Sequence, residues 1–303
     1  MPDITLEKIN DRIKDNSENF IFQCESFYRC QLNIIVDKIC NSHGRVLIML
    51  AGPSSSGKTT TAEILKQELI NKGRHAITLS LDDFYRDQDE SYYFEDGTVD
   101  YETVKSIDTE YVTECMENLL HKGKAMIPRF SFMTKIREGY KEVTVHEDEI
   151  IIVEGLHAIS PEITDSLENE NMIKLYVSVS SRIYKDDVVF MAKRDIRFIR
   201  RMIRDYYFRN SSVENTFYLW KGVRMGEDRY LFPHKDRADI KIDTIHPYEL
   251  CVFKDIAINL LDHIGSDSIY YHTALELKDK LRQFESLSEA VIPDDSLLKE
   301  FIR

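Results

Sequence analysis

Cysteine is sparse and unclustered. Its five copies (Cys24, Cys30, Cys40, Cys115, Cys251) are scattered through 303 residues with no CxxC spacing. That usage reads as reduced thiols in a cytoplasmic protein. No apolar run approaches the roughly 18–20 residues that span a bilayer, which excludes a membrane helix. The first sixteen residues, MPDITLEKINDRIKDN, lack a basic segment followed by an apolar core, so no signal peptide is expected. Basic excess is missing too: the formal net charge is -13, which argues against a general nucleic-acid binder. Net charge governs long-range behaviour while a site is local, so an anionic ligand is not excluded. Neither internal repeats nor low-complexity tracts occur, and homo-oligomerisation is left open. What is present is ordinary globular composition, 43% hydrophobic and 31% charged.

The pattern predicts an α/β fold with a mainly parallel sheet. Residues 5–43 contain neither Pro nor Gly and carry apolar positions at helical period, such as Phe20, Phe22, Phe27, Ile34, Ile35 and Ile39, which predicts one or two helices. The continuous apolar run VLIMLA (46–51) reads as a strand covered on both faces. TTAEILKQELINKG then reads as a helix with Ala62, Leu65 and Leu69 on one face and Gly73 as its stop. Further strands are expected at 76–81, 149–155, 173–179 and 239–243, and a helix over 108–121. Alternation around Phe130/Phe132 and Val143/Val145 predicts a hairpin turning at Glu138-Gly139. Past Pro247 the chain reads as helical, interrupted near Gly265 and Pro293. The division expected is an N-terminal helical extension (1–45), a central domain (46–265) and a C-terminal helical extension (266–303).

Between the first strand and its helix lies Gly52-Pro53-Ser54-Ser55-Ser56-Gly57-Lys58-Thr59-Thr60, which satisfies GxxxxGK[ST]. Glycines let successive N–H groups turn inward onto phosphate oxygens, and the helix adds its positive end beneath them. Lys58 supplies a mobile charge to the outer phosphates, and the Thr59 hydroxyl is a hard ligand suited to Mg²⁺. The strand before and helix after are the context the motif demands, so ATP with Mg²⁺ is the expected pairing. Asn71-Lys72-Gly73-Arg74 lacks the Asp of an NKxD base-reading motif, and no LSGGQ-like signature occurs. A kinase of nucleotides or metabolites therefore fits best.

Asp82 is expected at the carboxyl end of the second strand, the sheet edge that carries ligands in such folds. A carboxylate there can take a proton from an acceptor hydroxyl, and Asp83 competes for the role. Glu154 ends IIIVE, where a Mg²⁺-organising carboxylate belongs. The segment KRDIRFIRRMIRDYYFR (193–209) places Arg197, Arg201 and Arg204 on one helical face. Such a helix serves phosphoryl transfer as a lid that neutralises charge on the moving group. Trp220, Tyr206 and Tyr207 are expected in the core rather than stacked on a base, and His157 is expected to be structural.

The motifs GPSSSGKTTT, LSLDDFYRD (79–87), IPRFSF (127–132), VEGLHAI (153–159) and RFIRRMIRD (197–205), in that order, resemble the uridine kinase/phosphoribulokinase family over about residues 46–245. The nearest likeness is to a bacterial branch of nucleoside-kinase-like chains that end much as residues 292–302 do. The resemblance implies Asp82 as catalytic base, Lys58, Arg201 and Arg204 as catalytic cations, and Tyr85 lining the acceptor site. It implies Glu102 as the carboxylate that holds ribose hydroxyls. Phe130 and Lys135 stand where the family has the Tyr and His that read a pyrimidine, and Asn210-Ser211 replaces an expected arginine. Catalytic machinery carries over while uridine specificity does not. The expected acceptor is a nucleoside 5′-OH, with a phosphosugar or pantothenate-like metabolite as the alternative. A non-catalytic nucleotide-binding regulator is a third reading, disfavoured because Lys58, Thr59, Asp82 and Glu154 are all retained.

Overall fold

The computed structural model of the chain describes residues 4–87, 92–95, 97, 100 and 102–302. The elements run β1 (Ile4–Thr5), α1 (Leu6–Cys40), β2 (Val46–Ala51), α2 (Lys58–Asn71), β3 (Ala76–Ser80), α3 (Thr109–Lys122), β4 (Lys124–Ser131), β5 (Ile136–Thr144) and β6 (Ile150–Glu154). They continue through α4 (Pro161–Thr164), β7 (Met172–Ser178), β8 (Ile183–Lys185), β9 (Val188–Met191), α5 (Lys193–Arg209), α6 (Val213–Gly226), β10 (Ile240–Asp243), α7 (Glu249–Leu261) and α8 (Tyr271–Leu281). Among the described residues no helix is long and apolar enough to cross a membrane.

Five strands form the parallel sheet in the order β10-β7-β2-β6-β3. All six residues of β2 are buried, as its unbroken apolar run requires of a central strand. Its alternate side chains feed two cores. Val46, Ile48 and Leu50 join a core shared with α1, α2, α5, α7 and residues 284–302. Leu47, Met49 and Ala51 face the second core under α3 and the β4–β5 hairpin. Register aligns Leu50, Glu154 and Ser80 across β2, β6 and β3. The residues that follow those three positions therefore emerge at one edge.

The span α1 is two helices joined at a kink at Asn16 (φ -157°, ψ 87°), whose side chain accepts from Asn19 N–H and starts the second. Its buried stripe is Phe20, Ile21, Cys24, Tyr28, Leu32, Ile35, Val36 and Ile39, which leaves Phe22 and Ile34 exposed. The expected apolar face was thus out of phase at those two positions. The restart at Asn16 sets the phase, and 3.6-residue spacing then carries it onward.

The hairpin turns at residues 132–135, not at Glu138-Gly139. Ser131 closes that turn, its carbonyl accepting from Lys135 N–H at 2.7 Å and its hydroxyl from Thr134 N–H, with Lys135 in the left-handed region (φ 59°). Gly139 lies within β5 opposite Arg129, beside the bulge at Arg129/Phe130. A three-stranded sheet β1-β8-β9, joined through Asp186-Asp187 with both φ positive, was not expected. Its signal was weak: two short strands around a two-residue turn of the primed type.

Candidate active site

At the carboxyl end of β2 the chain rounds a loop with Ser55 at φ 57° and Gly57 at φ 87°. A Cβ on Gly52 would lie 2.1 Å from the Val177 carbonyl oxygen, so only glycine lets the loop pass against β7. Helix α2 begins at Lys58 with no side chain capping its first N–H groups. Ser55 and Ser56 have buried hydroxyls without hydrogen-bond partners. Open N–H groups, a helix dipole and unspent hydroxyls suit a bound anion. Lys58 makes one long hydrogen bond, 3.3 Å to the Pro53 carbonyl.

The loop is held from three directions. Glu227 accepts from Ser54 N–H at 2.9 Å, while Arg197 donates to the Ser54 carbonyl at 2.9 Å and to Glu227 at 2.6 and 2.7 Å. This buried bidentate pair is a brace: removing one partner strands a charge, typically at a cost of about 3–5 kcal/mol. Arg201 donates to Ser54 Oγ at 2.7 Å. Behind the loop, Thr60 Oγ1 donates to Glu300 Oε2 at 2.7 Å, and the Thr61 hydroxyl meets the Tyr28 hydroxyl at 2.8 Å.

Facing the loop is a cleft of about 810 Å³. Ser54, Ser55, Gly57, Lys58, Thr59, Asp82, Tyr85, Glu102, Phe130, Lys135, Glu154, Arg201 and Arg204 all line it. Asp82 sits in the turn Leu81–Phe84 that follows β3 and opens onto the cleft. The surrounding walls push its acidity down, raising its pKa against the pull of Lys58 and Arg209. Asp83, by contrast, accepts from the Phe130 backbone N–H and does not line the cleft, so the two neighbours are distinguished by geometry. Glu154 is buried and its pKa is raised, chiefly by desolvation, with Lys58 opposing. The Ser80 hydroxyl donates to it at 3.0 Å, and the Thr59 hydroxyl is a further partner.

Glu102 is held by its backbone. Its N–H donates to Asp100 at 3.1 Å, its carbonyl accepts from His157 Nε2 at 3.0 Å, and Tyr230 donates to the same Asp100 at 2.6 Å. The carbonyl can only accept, so Nε2 of His157 carries the proton. Burial drives the His157 pKa down to about 4, leaving a neutral, structural imidazole as expected. Gly226 presses on Glu102 so closely that a Cβ there would fall 2.2 Å from the Glu102 Cβ. Burial raises the Glu102 pKa to about 7, with Arg201 opposing and Glu227 adding to the rise.

Tyr85, Phe130 and Phe132 form one aromatic wall, with ring centroids 5.2–5.6 Å apart. Tyr218, Leu219 and Val223 of α6 line the cleft as well. Of the three arginines that share a helical face, Arg201 and Arg204 border the cleft, whereas Arg197 is turned into the brace on Glu227. Trp220 is core, with the Arg197 guanidinium 5.5 Å from its ring, but Tyr206, expected in the core with it, is exposed, and Tyr207 is only partly buried against the core. Asp205 gathers three guanidiniums: Arg204 at 2.7 Å, Arg201 at 3.1 Å and Arg209 at 3.6 Å. Arg209 lines the cleft and acts on Asp82, so it stands beside the position where Asn210-Ser211 lacked the expected arginine. No role was assigned to Arg209, Asp205, Glu227 or Glu300, although the segments singled out in the sequence, 193–209 and 292–302, contain all but Glu227. The only signal was that a basic helix buried in an acidic chain must find carboxylate partners.

The loop, the sheet order and the arginine helix define a P-loop kinase. Comparison with known proteins agrees. The chain belongs to the Phosphoribulokinase / Uridine kinase family, whose model matches residues 47–250. A uridine kinase of Ureaplasma parvum serovar 3 is 26% identical over 204 residues, covering 67% of this chain and 89% of that one. A uridine kinase of Bacillus pumilus is 30% identical over 200 residues, covering 65% and 85%. Among solved structures, phosphoribulokinase from Rhodobacter spheroides matches with a TM-score of 0.41 at 15% identity, covering 65% of this chain and 69% of that one. The chain is thus a P-loop kinase of a family that acts on a hydroxyl of a small molecule.

Proposed function

We propose that this protein transfers the terminal phosphoryl of ATP to the 5′-hydroxyl of a nucleoside. The carrying observation is the convergence of Lys58, Asp82, Glu102 and Arg201 on one cleft beside an uncapped helix start. ATP bound with Mg²⁺ supplies the phosphoryl and neutralises part of its charge. The loop 52–60 fits the phosphates through its open N–H groups and hydroxyls, and Thr59 with Glu154 would hold the metal. Asp82 takes the proton of the acceptor hydroxyl as its oxygen bonds to phosphorus and the bond to the leaving diphosphate breaks. Its raised pKa makes it a stronger base once ionised. Lys58, Arg201, Arg204 and Arg209 present fixed positive charge where negative charge develops. Glu102 is an acceptor suited to two hydrogen bonds from a vicinal diol.

Phe130 and Lys135 occupy the wall where a pyrimidine would be read, and neither reproduces a Tyr–His pair. Uridine and cytidine are therefore expected to be poor substrates beside purine nucleosides. Steady-state turnover of uridine, cytidine, adenosine, inosine and guanosine, with their 2′-deoxy forms, tests the reading. Ribonucleosides should exceed deoxyribonucleosides, and Glu102→Gln should narrow that gap. Efficient uridine use would refute the base preference; equal use of both sugars, unchanged by Glu102→Gln, would refute the diol contact. Because the anion accepts the diol, KM for the acceptor should rise as pH falls through about 7, and this dependence should vanish in Glu102→Gln. Lys135 on the cleft wall favours a second reading, an anionic hydroxylated metabolite such as a phosphosugar or pantothenate-like compound. Turnover of such compounds with no nucleoside used would select it.

A further inference from the structure

Residues 296–302 do not merely end the chain's fold; they are built into the phosphate loop. Leu297 occupies the space beside Gly57, its Cδ1 2.6 Å from where a Cβ would stand. The segment is pinned on every side. Ser296 Oγ donates to Glu25 of α1 at 2.7 Å, and Arg29 holds the Asp295 carbonyl and carboxylate at 2.7 Å each. Leu297, Leu298, Phe301 and Ile302 are buried, and the Arg200 guanidinium lies 5.1 Å from the Phe301 ring. Within this fixed segment Glu300 reaches Thr60 at 2.7 Å and borders the same cleft as Lys58.

We infer that Glu300 forms a subsite for the sugar of the donor nucleotide, accepting hydrogen bonds from its 2′- and 3′-hydroxyls. The inference rests on the donor occupying the loop as proposed above. The transferred end must face Asp82, which follows β3 at one edge of the sheet. Glu300 is instead fixed on Thr60, beside the Thr61–Tyr28 contact with α1, which bonds β10 at the opposite edge through Gln31 and Asp243. A nucleotide with its terminal phosphate toward Asp82 carries its sugar one ester bond beyond the inner phosphate, toward the Thr60 side. A carboxylate next to a phosphate chain is repulsive unless it receives hydrogen bonds. The sugar's only N–H or O–H donors are those two hydroxyls, and a carboxylate has the acceptor sites for both.

Calorimetric binding of Mg-ADP, Mg-2′-deoxyADP and Mg-3′-deoxyADP to the full chain, without any acceptor, tests this. Wild type should bind each deoxy nucleotide about tenfold to a hundredfold more weakly than ADP, the usual range for a hydrogen bond to a charged group. Glu300→Ala should abolish the discrimination, weakening ADP by both bonds and each deoxy nucleotide by the one it keeps, so that all three bind about alike. Equal binding of all three by wild type overturns the inference, and needs no variant that folds. A uniform loss for all three in a folded Glu300→Ala also overturns it, reducing Glu300 to a brace for Thr60. No binding of any of them by folded wild type overturns the reading of the loop itself. Discrimination among the three with no acceptor turned over supports the subsite while the acceptor reading fails.

Discussion

Lys58→Ala should lower turnover by about two to three orders of magnitude while leaving the fold intact. The loss is that of one fixed donor to developing charge. Retention of the fold follows from how little the structure leans on this side chain, whose one hydrogen bond among the described residues is long, at 3.3 Å. Its influence is electrostatic and directed inward, since it opposes the upward pKa shifts of Asp82, Glu154 and Glu102. Removing it takes a cation from the phosphates and lets all three carboxyls hold their protons to higher pH. Mg-ATP turnover with a melting control measures both effects. Near-normal turnover would remove the loop from the mechanism.

Asp82→Asn should cost about 10²–10⁴-fold in turnover, the usual range for a lost general base. Nucleotide affinity should change little, because the base acts on the acceptor. The paired control is Asp83→Asn. Asp83 accepts from the Phe130 backbone N–H and stands outside the cleft, so its loss should be mild and felt through the hairpin. Substitutions that rank the other way, a crippling Asp83→Asn and a mild Asp82→Asn, would transfer the role to Asp83.

What could be read in the residues was local and contiguous. The run VLIMLA, the glycine-bounded loop and the helix after it form one stretch, so pattern and context sit side by side. The carboxyl ends of β3 and β6 could be placed because strands in a parallel sheet share one edge, and register does align Ser80, Leu50 and Glu154. Glu102 and Tyr85 came from family likeness, not from any periodicity. Remote partners were not readable. Glu227 braces Ser54 from 173 residues away and Glu300 meets Thr60 from 240 away, each an ordinary acid in its own neighbourhood. Arg197 shows the same limit in reverse. Helical spacing put it on the face of Arg201 and Arg204, but a helix face is wide enough to divide between a cleft and a buried partner. The hairpin turn was misplaced because glycine marks a turn only when no other residue closes one first, and Ser131 does.

The three guanidiniums gathered on Asp205 leave two positive charges in excess at that point, in a chain whose formal charge is -13. A polyphosphate approaching from solution therefore meets two opposed fields. Far away it is repelled by the whole molecule; within a few ångströms it is drawn to the arginines. Salt acts on the two unequally, because at 0.1 M the screening length is about 10 Å and erases the distant field first. Raising ionic strength from a low value should make capture faster in stopped-flow while making the captured complex looser at equilibrium. Encounter and retention would thus answer to salt with opposite signs.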